Sequence, residues 1–324
     1  MNKNKARREN RKMKTKLTEL LNIKYPILQG AMAWVSEANL AAAVSNAGGA
    51  GIIGTGGRDL TWVKEQIDLA RTLTDKPFGV NVVLQDDDKD EKIELICNEK
   101  VSFVTLGAGN PVPYIEKLKN AGIKVIPVVP NTKLAKRVEA SGADALIIEG
   151  MEAGGHIGKL TTLSLMTQVI PEIKIPVIAA GGFTEGRGLA AALIMGASGI
   201  QAGTRFYASK ECVAHIDTKN AIVVAGDMGT EITGYISNHS IRSLKNKATD
   251  KYIELEKANA PYEELSKLRA GKARSAPFDG DVEWGLIQAG QSLSVITSIN
   301  SCDEIINDFI KVAEESIEKL KKLK

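Results

Sequence analysis

Eight short apolar runs recur about every 25 residues along most of the chain, and stretches with helical periodicity separate them. Runs that are continuously apolar are typical of parallel strands covered on both faces. Eight such repeats predict an α/β protein, a closed (β/α)8 barrel of the TIM type. A doubly wound sheet is the alternative, because it uses the same strand–helix–strand units. The predicted strands are residues 26–30, 51–54, 78–84, 101–106, 123–129, 145–150, 175–182 and 199–204.

The repeat is interrupted after Thr204. Residues 212–284 have no strand-rich pattern and contain short, polar, helix-prone pieces, of which 252–268 is the longest. We interpret this segment as an inserted helical lid over the mouth of the barrel. The barrel itself is then assigned to residues 15–211 and 285–324, and the apolar spacing near the C-terminus predicts a helix that returns to the barrel wall.

Composition and charge exclude several classes of protein. Residues 1–14 carry seven basic side chains and one acid, and the rest of the chain is mildly acidic. A basic arm could contact nucleic acid or anionic lipid, but its composition is typical of a disordered leader, and we expect no nucleic-acid partner. No apolar run reaches the roughly 18 residues that a membrane-spanning helix needs. Cys97, Cys212 and Cys302 are too far apart for a disulfide framework or a metal site, so we expect a cytoplasmic protein with no bound metal.

Glycines cluster directly after the seventh and eighth predicted strands, at Gly181–Gly182 and at Gly203–Thr204. TIM barrels carry their sites at the C-terminal ends of the strands, and a phosphate commonly binds after strands 7 and 8. Glycine lets backbone N–H groups approach a phosphate, and the helix that follows adds a favourable dipole. The paired motifs therefore predict a phosphate site, although tight strand–helix turns would account for either motif alone.

Two further strand ends have the residues expected around a flat ring. Small residues surround Met32 after the first strand, so that a planar group could lie against the backbone there. Asn81 lies in the third strand, where its amide could read the donor and acceptor edge of a heterocycle. Asn81 could equally cap a neighbouring loop, and the sequence leaves both roles open.

Residues 149–158 (EGMEAGGHIG) follow the sixth strand and place His156 among glycines. Imidazole exchanges protons near neutral pH, and a glycine loop would hold it over the barrel mouth without bulky neighbours. A lone histidine is more often structural, but this position predicts a catalytic role. His215 and His239 lie in the inserted segment and have weaker claims.

Several of these segments together resemble one known superfamily, that of nitronate monooxygenase and FabK-type enoyl-acyl-carrier-protein reductase. The likeness extends from about Lys14 over nearly the whole chain. Residues 128–130, 156–162 and 242–246 are more similar to the reductase branch, whereas Ala31 and residues 287–288 depart from it. The matching segments are residues 29–34, 149–158 with the specific EAGGH run, 179–182, 201–204 and 289–291.

The resemblance implies an FMN-dependent enzyme that takes hydride from NADH or NADPH and reduces a trans-2-enoyl thioester on acyl carrier protein. It implies that His156 contacts the thioester oxygen or relays a proton, and that the enzyme is a homodimer. It also implies a set of FMN-binding residues. These are Gln29, Gly30, Ala31, Met32, Asn81, Glu149, Gly154, Gly155, Gly181, Gly182, Gln201, Gly203, Thr204 and Gln291.

Three other functions remain open at this stage. A nitronate monooxygenase would use FMN and oxygen, with His156 as the base. A phosphate-binding barrel enzyme without flavin would have the same glycine motifs, and a non-catalytic flavin-binding module would need no histidine. Residues 236–280 carry a small excess of basic side chains, among them Arg242 and Lys245, which could steer an acidic carrier protein.

Overall fold

The computed structural model describes residues 13–237 and 239–323, so all but the last two residues of the predicted leader lie outside the described chain. In that part of the chain, eight strands form one parallel sheet and three form a smaller sheet. The strands are β1 (Ile27–Gln29), β2 (Ile52–Gly54), β3 (Gly79–Val83), β4 (Phe103–Gly107), β5 (Lys124–Val129), β6 (Leu146–Glu149), β7 (Gly155–His156), β8 (Val177–Ala180), β9 (Gly199–Ala202), β10 (Thr230–Thr233) and β11 (Ile241–Leu244).

The large sheet closes on itself. Its order is β1-β9-β8-β6-β5-β4-β3-β2, and a parallel bridge between Leu28 and Ala50 joins the two ends. Gln29 N donates to Ala50 O and Ala50 N donates to Ile27 O, both at 3.0 Å. All eight predicted strands are confirmed, and the fold is the (β/α)8 barrel rather than the doubly wound sheet.

Helices surround the barrel. The helices over residues 60–73 and 132–140 each begin at a side-chain cap: Asp59 accepts from Trp62 N and Asn131 from Leu134 N. The helices are α1 (Lys16–Leu21), α2 (Ala38–Asn46), α3 (Leu60–Leu73), α4 (Lys89–Glu99), α5 (Val112–Asn120), α6 (Thr132–Ala140), α7 (Thr162–Val169), α8 (Gly186–Ile194), α9 (Thr204–Tyr207), α10 (Ile216–Val224), α11 (Lys247–Lys257), α12 (Tyr262–Arg269), α13 (Lys272–Asp279) and α14 (Cys302–Lys321).

The C-terminal helix α14 lies against α8, as the sequence predicts for a helix that returns to the barrel wall. A Cβ on Gly186 would lie 2.2 Å from Phe309 O, so the close approach of these two helices depends on a glycine at this position. The buried apolar face of α14 completes this contact.

Side chains divide into an inner and an outer core. Ile147 of β6 belongs to a cluster inside the barrel, whereas its neighbours Leu146 and Ile148 belong to the larger cluster between strands and helices, as the two-residue period of a strand requires. Leu17 and Leu21 of α1 join the inner cluster. Because side chains fill the interior, a ligand site can form only at an end of the barrel.

The inserted segment is mixed rather than only helical. It contains α10 to α13, but also β10 and β11, and β11 pairs with both β10 and β7 in an antiparallel sheet. The helical stretch expected over 252–268 is broken before Pro261 into α11 and α12. Ile222, Leu244 and Ala276 of this segment share the outer apolar core with the barrel, so the segment is packed onto it.

Candidate active site

A cavity of about 450 Å³ opens at the C-terminal ends of the barrel strands. This volume lies within the range of small-molecule and cofactor sites, and the position is the one that TIM-barrel enzymes use. The structure brings most of the residues named from the sequence into this one cavity. Those that line it are Gly30, Ala31, Met32, Asn81, Glu149, Gly154, Gly155, His156, Gly181, Gly182, Gln201, Gly203 and Thr204.

Gln29 and Gln291 lie outside the lining of this cavity. Gln29 is fully buried: its side-chain amide donates to Gly30 O at 2.6 Å and to Ser36 Oγ at 2.9 Å, and its Oε1 accepts from Ile52 N at 3.0 Å. Gln29 therefore supports the loop that carries Met32, instead of facing a ligand. Gln291 is exposed, and only its backbone contributes to the site (below).

The glycines after β8 and β9 present free donors to the cavity. Gly181 and Gly182 have φ values of 98° and 83°, which few other residues adopt. Their N–H groups and that of Gly203 donate no hydrogen bond within residues 13–237 and 239–323. The Thr204 hydroxyl accepts from Gly290 N at 2.9 Å, which leaves its own proton available. Unpaired N–H groups of this kind suit an anion such as a phosphate.

The space next to Gly203 is open and could take part of a ligand. Gly203 has an ordinary φ of −103°, and a Cβ added to it would have Met32 Sδ, at 3.8 Å, as its nearest neighbour. At Gly107, at the end of β4, the nearest atoms would be 4.0 Å away. Both glycines line the cavity, so a side chain at either position would occupy space that is now part of the cavity.

The glycine-rich segment after β6 is held by Glu152 and Thr162. The Glu152 carboxylate accepts from Thr162 N at 2.9 Å and lies 3.0 Å from the Thr162 hydroxyl. On the other side, a Cβ on Gly154 would lie 2.7 Å from the backbone of Ala289, and Gln291 N donates to Glu152 O at 2.8 Å. Sequence reasoning missed both Glu152 and Thr162, although the EAGGH run and the start of α7 were visible signals.

His156 lies at the mouth of the cavity, but in a strand instead of a free loop. It belongs to β7 and pairs with Ile241 of β11, which fixes its backbone. His156 is exposed and lines the cavity. Partial burial, and then the positive charge of Arg269 and the proximity of His239, lower the pKa of His156 below its ordinary value. The direction of this shift favours the neutral form of the imidazole.

Two polar side chains face the cavity from the strands. Burial raises the pKa of the Glu149 carboxyl to about 7, so that it is partly protonated at neutral pH. The Asn81 amide group donates to Thr105 Oγ1 at 3.0 Å, which orients it and leaves its carbonyl oxygen for a ligand. Both roles considered for Asn81, supporting a neighbour and facing the cavity, are thus compatible.

Other lining residues received no role from the sequence. They include Thr105 and Gly107 at the end of β4 and Val129 at the end of β5, which the general position of TIM-barrel sites could have suggested. Ala273 of α13 and Gln288 come from the distal part of the chain. The resemblance had placed the segment of Gln288 near the cofactor through Gln291, three residues further on, whereas nothing in the local sequence signals that α13 reaches the cavity.

Arg242 does not belong to a charged surface. Its residue is 5% exposed, its Nε donates to Met151 O and its Nη1 to Thr230 Oγ1, both at 3.0 Å. The expectation that Arg242 steers a carrier protein is wrong, because a strand within a three-stranded sheet buries it. Lys245, one residue beyond that strand, is exposed.

No group of three or more His, Cys, Asp or Glu side chains in the described part of the chain could hold a metal ion. None of the helices described has the length and apolar character needed to cross a membrane. Cys97, Cys212 and Cys302 are free thiols.

A (β/α)8 barrel with a cavity of this size at the C-terminal ends of its strands has the architecture of a TIM-barrel enzyme. The chain belongs to the nitronate monooxygenase family, whose model matches residues 14–92 and 84–311. It is thereby a flavin-dependent oxidoreductase, and the resemblance inferred from the sequence is confirmed.

Individual relatives are similar to this chain over nearly its full length. The structure of FabK from Thermotoga maritima is 45% identical, with a TM-score of 0.93 over 95% of this chain and 99% of that one. A nitroalkane oxidase from Streptomyces ansochromogenes is 30% identical, with a TM-score of 0.83 over 94% and 100%. The (3aS,4S,5R,7aS)-5-hydroxy-7a-methyl-1-oxo-octahydro-1H-indene-4-carboxyl-CoA dehydrogenase of Mycobacterium tuberculosis is 33% identical over 92% of this chain and 96% of its own length.

Proposed function

We propose that this protein is an FMN-dependent enoyl-acyl-carrier-protein reductase, which reduces trans-2-enoyl thioesters with NADH or NADPH. The observation that carries the proposal is its similarity to FabK, at 45% identity, against 30% to the nitroalkane oxidase. The relative from Mycobacterium tuberculosis supports it, because that dehydrogenase is named for a carboxyl-CoA substrate, which is also a thioester.

The residues of the cavity fit FMN. The free N–H groups of Gly181, Gly182 and Gly203, with the Thr204 hydroxyl, would hold the phosphate. Met32, Asn81 and Glu149 would surround the ring, as the sequence predicts, and Gly30, Ala31, Gly154, Gly155 and Gln201 would supply close backbone or amide contacts. When bound, FMN supplies the two-electron step between the nicotinamide and the enoyl thioester.

His156 would act on the substrate. Negative charge develops on the thioester oxygen when hydride adds to the β-carbon, and a hydrogen-bond donor placed there lowers the barrier. A neutral imidazole can donate its N–H to that oxygen or pass a proton towards the α-carbon. The low pKa of His156 and its position at the cavity mouth support this role.

The test uses the visible spectrum of the purified protein. A yellow preparation that NADH or NADPH bleaches without oxygen, and whose colour crotonyl-CoA then restores, would support the reductase. A colourless preparation that gains no chromophore with added FMN would contradict every flavin function and favour a flavin-free barrel enzyme.

A nitronate monooxygenase is the second candidate, because the family model and the nitroalkane oxidase both match nearly the whole chain. The same preparation distinguishes the two. Oxygen uptake with propyl nitronate, together with a flavin that NADH and NADPH do not reduce, would favour the monooxygenase and overturn the reductase. A flavin that reacts with none of these compounds would point to a non-catalytic binding module.

We also propose that acyl carrier protein delivers the substrate. Because Arg242 is buried, the exposed Lys245 is the residue to test for steering. Lys245→Glu should raise the KM for crotonyl-acyl-carrier-protein more than the KM for crotonyl-CoA. Equal effects on both substrates would contradict carrier steering at this residue.

A homodimer is proposed for the assembly and the cytoplasm for the location. Ile216, Val224 and Met228 are large apolar side chains between 53% and 82% exposed within one short stretch, which supports a contact with a second copy. The free thiols support a reducing compartment. Light scattering of the purified protein tests the assembly, and a monomeric mass would contradict the dimer.

A further inference from the structure

The side chain of Gln288 enters the cavity directly beside the strand that carries His156. A Cβ placed on Gly155 would lie 3.2 Å from Gln288 Oε1, so the missing side chain at Gly155 is what leaves room for this amide. Both residues line the cavity. Among the described residues, the Gln288 amide has no hydrogen-bond partner, which leaves its donors and its acceptor available to a ligand.

The backbone on both sides of Gln288 is held firmly. Leu244 N of β11 donates to Ile287 O at 2.8 Å. On the other side, Ala289 is fully buried, and its backbone packs directly against Gly154. The amide therefore projects from a fixed backbone, and an orientation of this kind lowers the entropic cost of binding.

One strand positions both polar groups. β11 pairs with Gly155 and His156 through Arg242 and Ile241, and three residues later the same strand holds Ile287. The imidazole of His156 and the amide of Gln288 thus come from segments more than 130 residues apart but share one backbone support.

We infer that Gln288 donates a hydrogen bond to the carbonyl oxygen of the thioester substrate, together with His156, and so favours acyl thioesters over substrates without that carbonyl. The inference rests on the proposed reductase function. A neutral imidazole offers one N–H donor, whereas the developing charge on the thioester oxygen can accept from two. The Gln288 amide is a donor that does not change its charge with pH.

The test separates the two half-reactions by stopped-flow spectroscopy of the FMN-loaded enzyme. In Gln288→Met, which keeps the length of the side chain but removes its donors, reduction by the nicotinamide cofactor should proceed at the wild-type rate. Reoxidation by crotonyl-CoA should be slower by on the order of 10²-fold, the lower end of the loss found when an oxyanion donor is removed. Ferricyanide, which has no carbonyl group to bind, should reoxidise wild type and variant equally.

The control is the same substitution at the exposed Gln168 of α7, which should leave both half-reactions unchanged. If Gln288→Met fails to fold, Gln288→Glu provides the second variant, and its carboxylate should slow reoxidation by crotonyl-CoA at least as much. Reoxidation at the wild-type rate in both variants, or in the one that folds, would overturn the inference. So would an equal loss in reduction and reoxidation, since that would place Gln288 against the cofactor. A wild-type enzyme that crotonyl-CoA does not reoxidise would instead overturn the proposed function, and this inference with it.

Discussion

Two hydrogen bonds join Glu152 to Thr162 across the base of the glycine-rich segment. The Glu152 carboxylate accepts from Thr162 N at 2.9 Å and from the Thr162 hydroxyl at 3.0 Å. The hydroxyl also lies 3.0 Å from Gly181 O, so the same threonine touches the turn that we assign to the phosphate. This pair connects the segment of His156 to the anion site. Its integrity should therefore affect both folding and cofactor binding.

Glu152→Gln should destabilise the apoprotein by about 2 kcal/mol, because a carboxylate that accepts from a backbone N–H is replaced by a neutral amide. FMN affinity should fall with it, since Gly181 loses part of its support. Urea denaturation and fluorescence titration with FMN measure the two effects. Glu65→Gln, on the exposed face of α3, is the matched control and should stay within about 0.5 kcal/mol. Unchanged FMN affinity in Glu152→Gln would contradict the proposed connection.

Gly203→Ala should weaken FMN binding at least about tenfold while leaving the stability of the apoprotein nearly unchanged. The reason is that the new methyl group would meet only Met32 Sδ, at 3.8 Å, and would otherwise occupy the cavity. Gly226→Ala is the control, because nothing lies within 4 Å of a Cβ there. If Gly203→Ala binds FMN as tightly as the wild type, the phosphate or ring of FMN does not lie at this position.

His156→Ala should retain bound FMN and lose most of its turnover with crotonyl-CoA, because the imidazole lies at the cavity mouth and supports none of the described backbone through a side-chain hydrogen bond. Absorbance of the purified variant gives its FMN content, and steady-state oxidation of the nicotinamide cofactor gives its turnover. Half-buried His215, at the start of α10 and outside the lining of the cavity, is the histidine for comparison. Full activity in His156→Ala would remove His156 from the mechanism.

Glu149 should make the stability of the apoprotein depend on pH. Its pKa is raised in the folded state to about 7 from an ordinary 4.5, so the folded state binds more protons than the unfolded state between these values. The free energy of unfolding therefore falls by at most ~3 kcal/mol as the pH rises from about 4.5 to 7, and it then levels off. Glu149→Gln should flatten this part of the profile, as followed by urea denaturation between pH 5 and 8.5. A variant whose profile has the slope of the wild type would contradict the assignment to Glu149.

The fold and the place of the site could be predicted because they depend on local patterns. Each apolar run predicts its own strand, and eight strands that alternate with helices are compatible with only a few architectures. Glycine motifs after the last two strands locate the cavity, since the C-terminal ends of parallel strands meet at one end of a barrel. Gly181 and Gly203 could thus be named without any knowledge of contacts.

Side-chain direction could not be predicted in the same way. Gln29 and Met32 lie in one short segment, yet the side chain of Gln29 turns into the protein and that of Met32 faces the cavity. In a continuously apolar strand, a shift of one residue exchanges the two faces, and no polar alternation marks which is which. Arg242 lies in a polar segment whose sequence has no strand-rich pattern and therefore predicts a surface charge, although β11 buries it.

The amino-acid sequence by itself determined the barrel, the end of it that carries the site, and the glycines and histidine found there, because each follows from the order and spacing of neighbouring residues. Only the tertiary structure decided that β7 joins the sheet of the inserted segment, that Glu152 holds Thr162, and that Gln288 lies beside His156. These relationships join residues distant in the chain. They arise from the packing of whole elements, which no local pattern encodes.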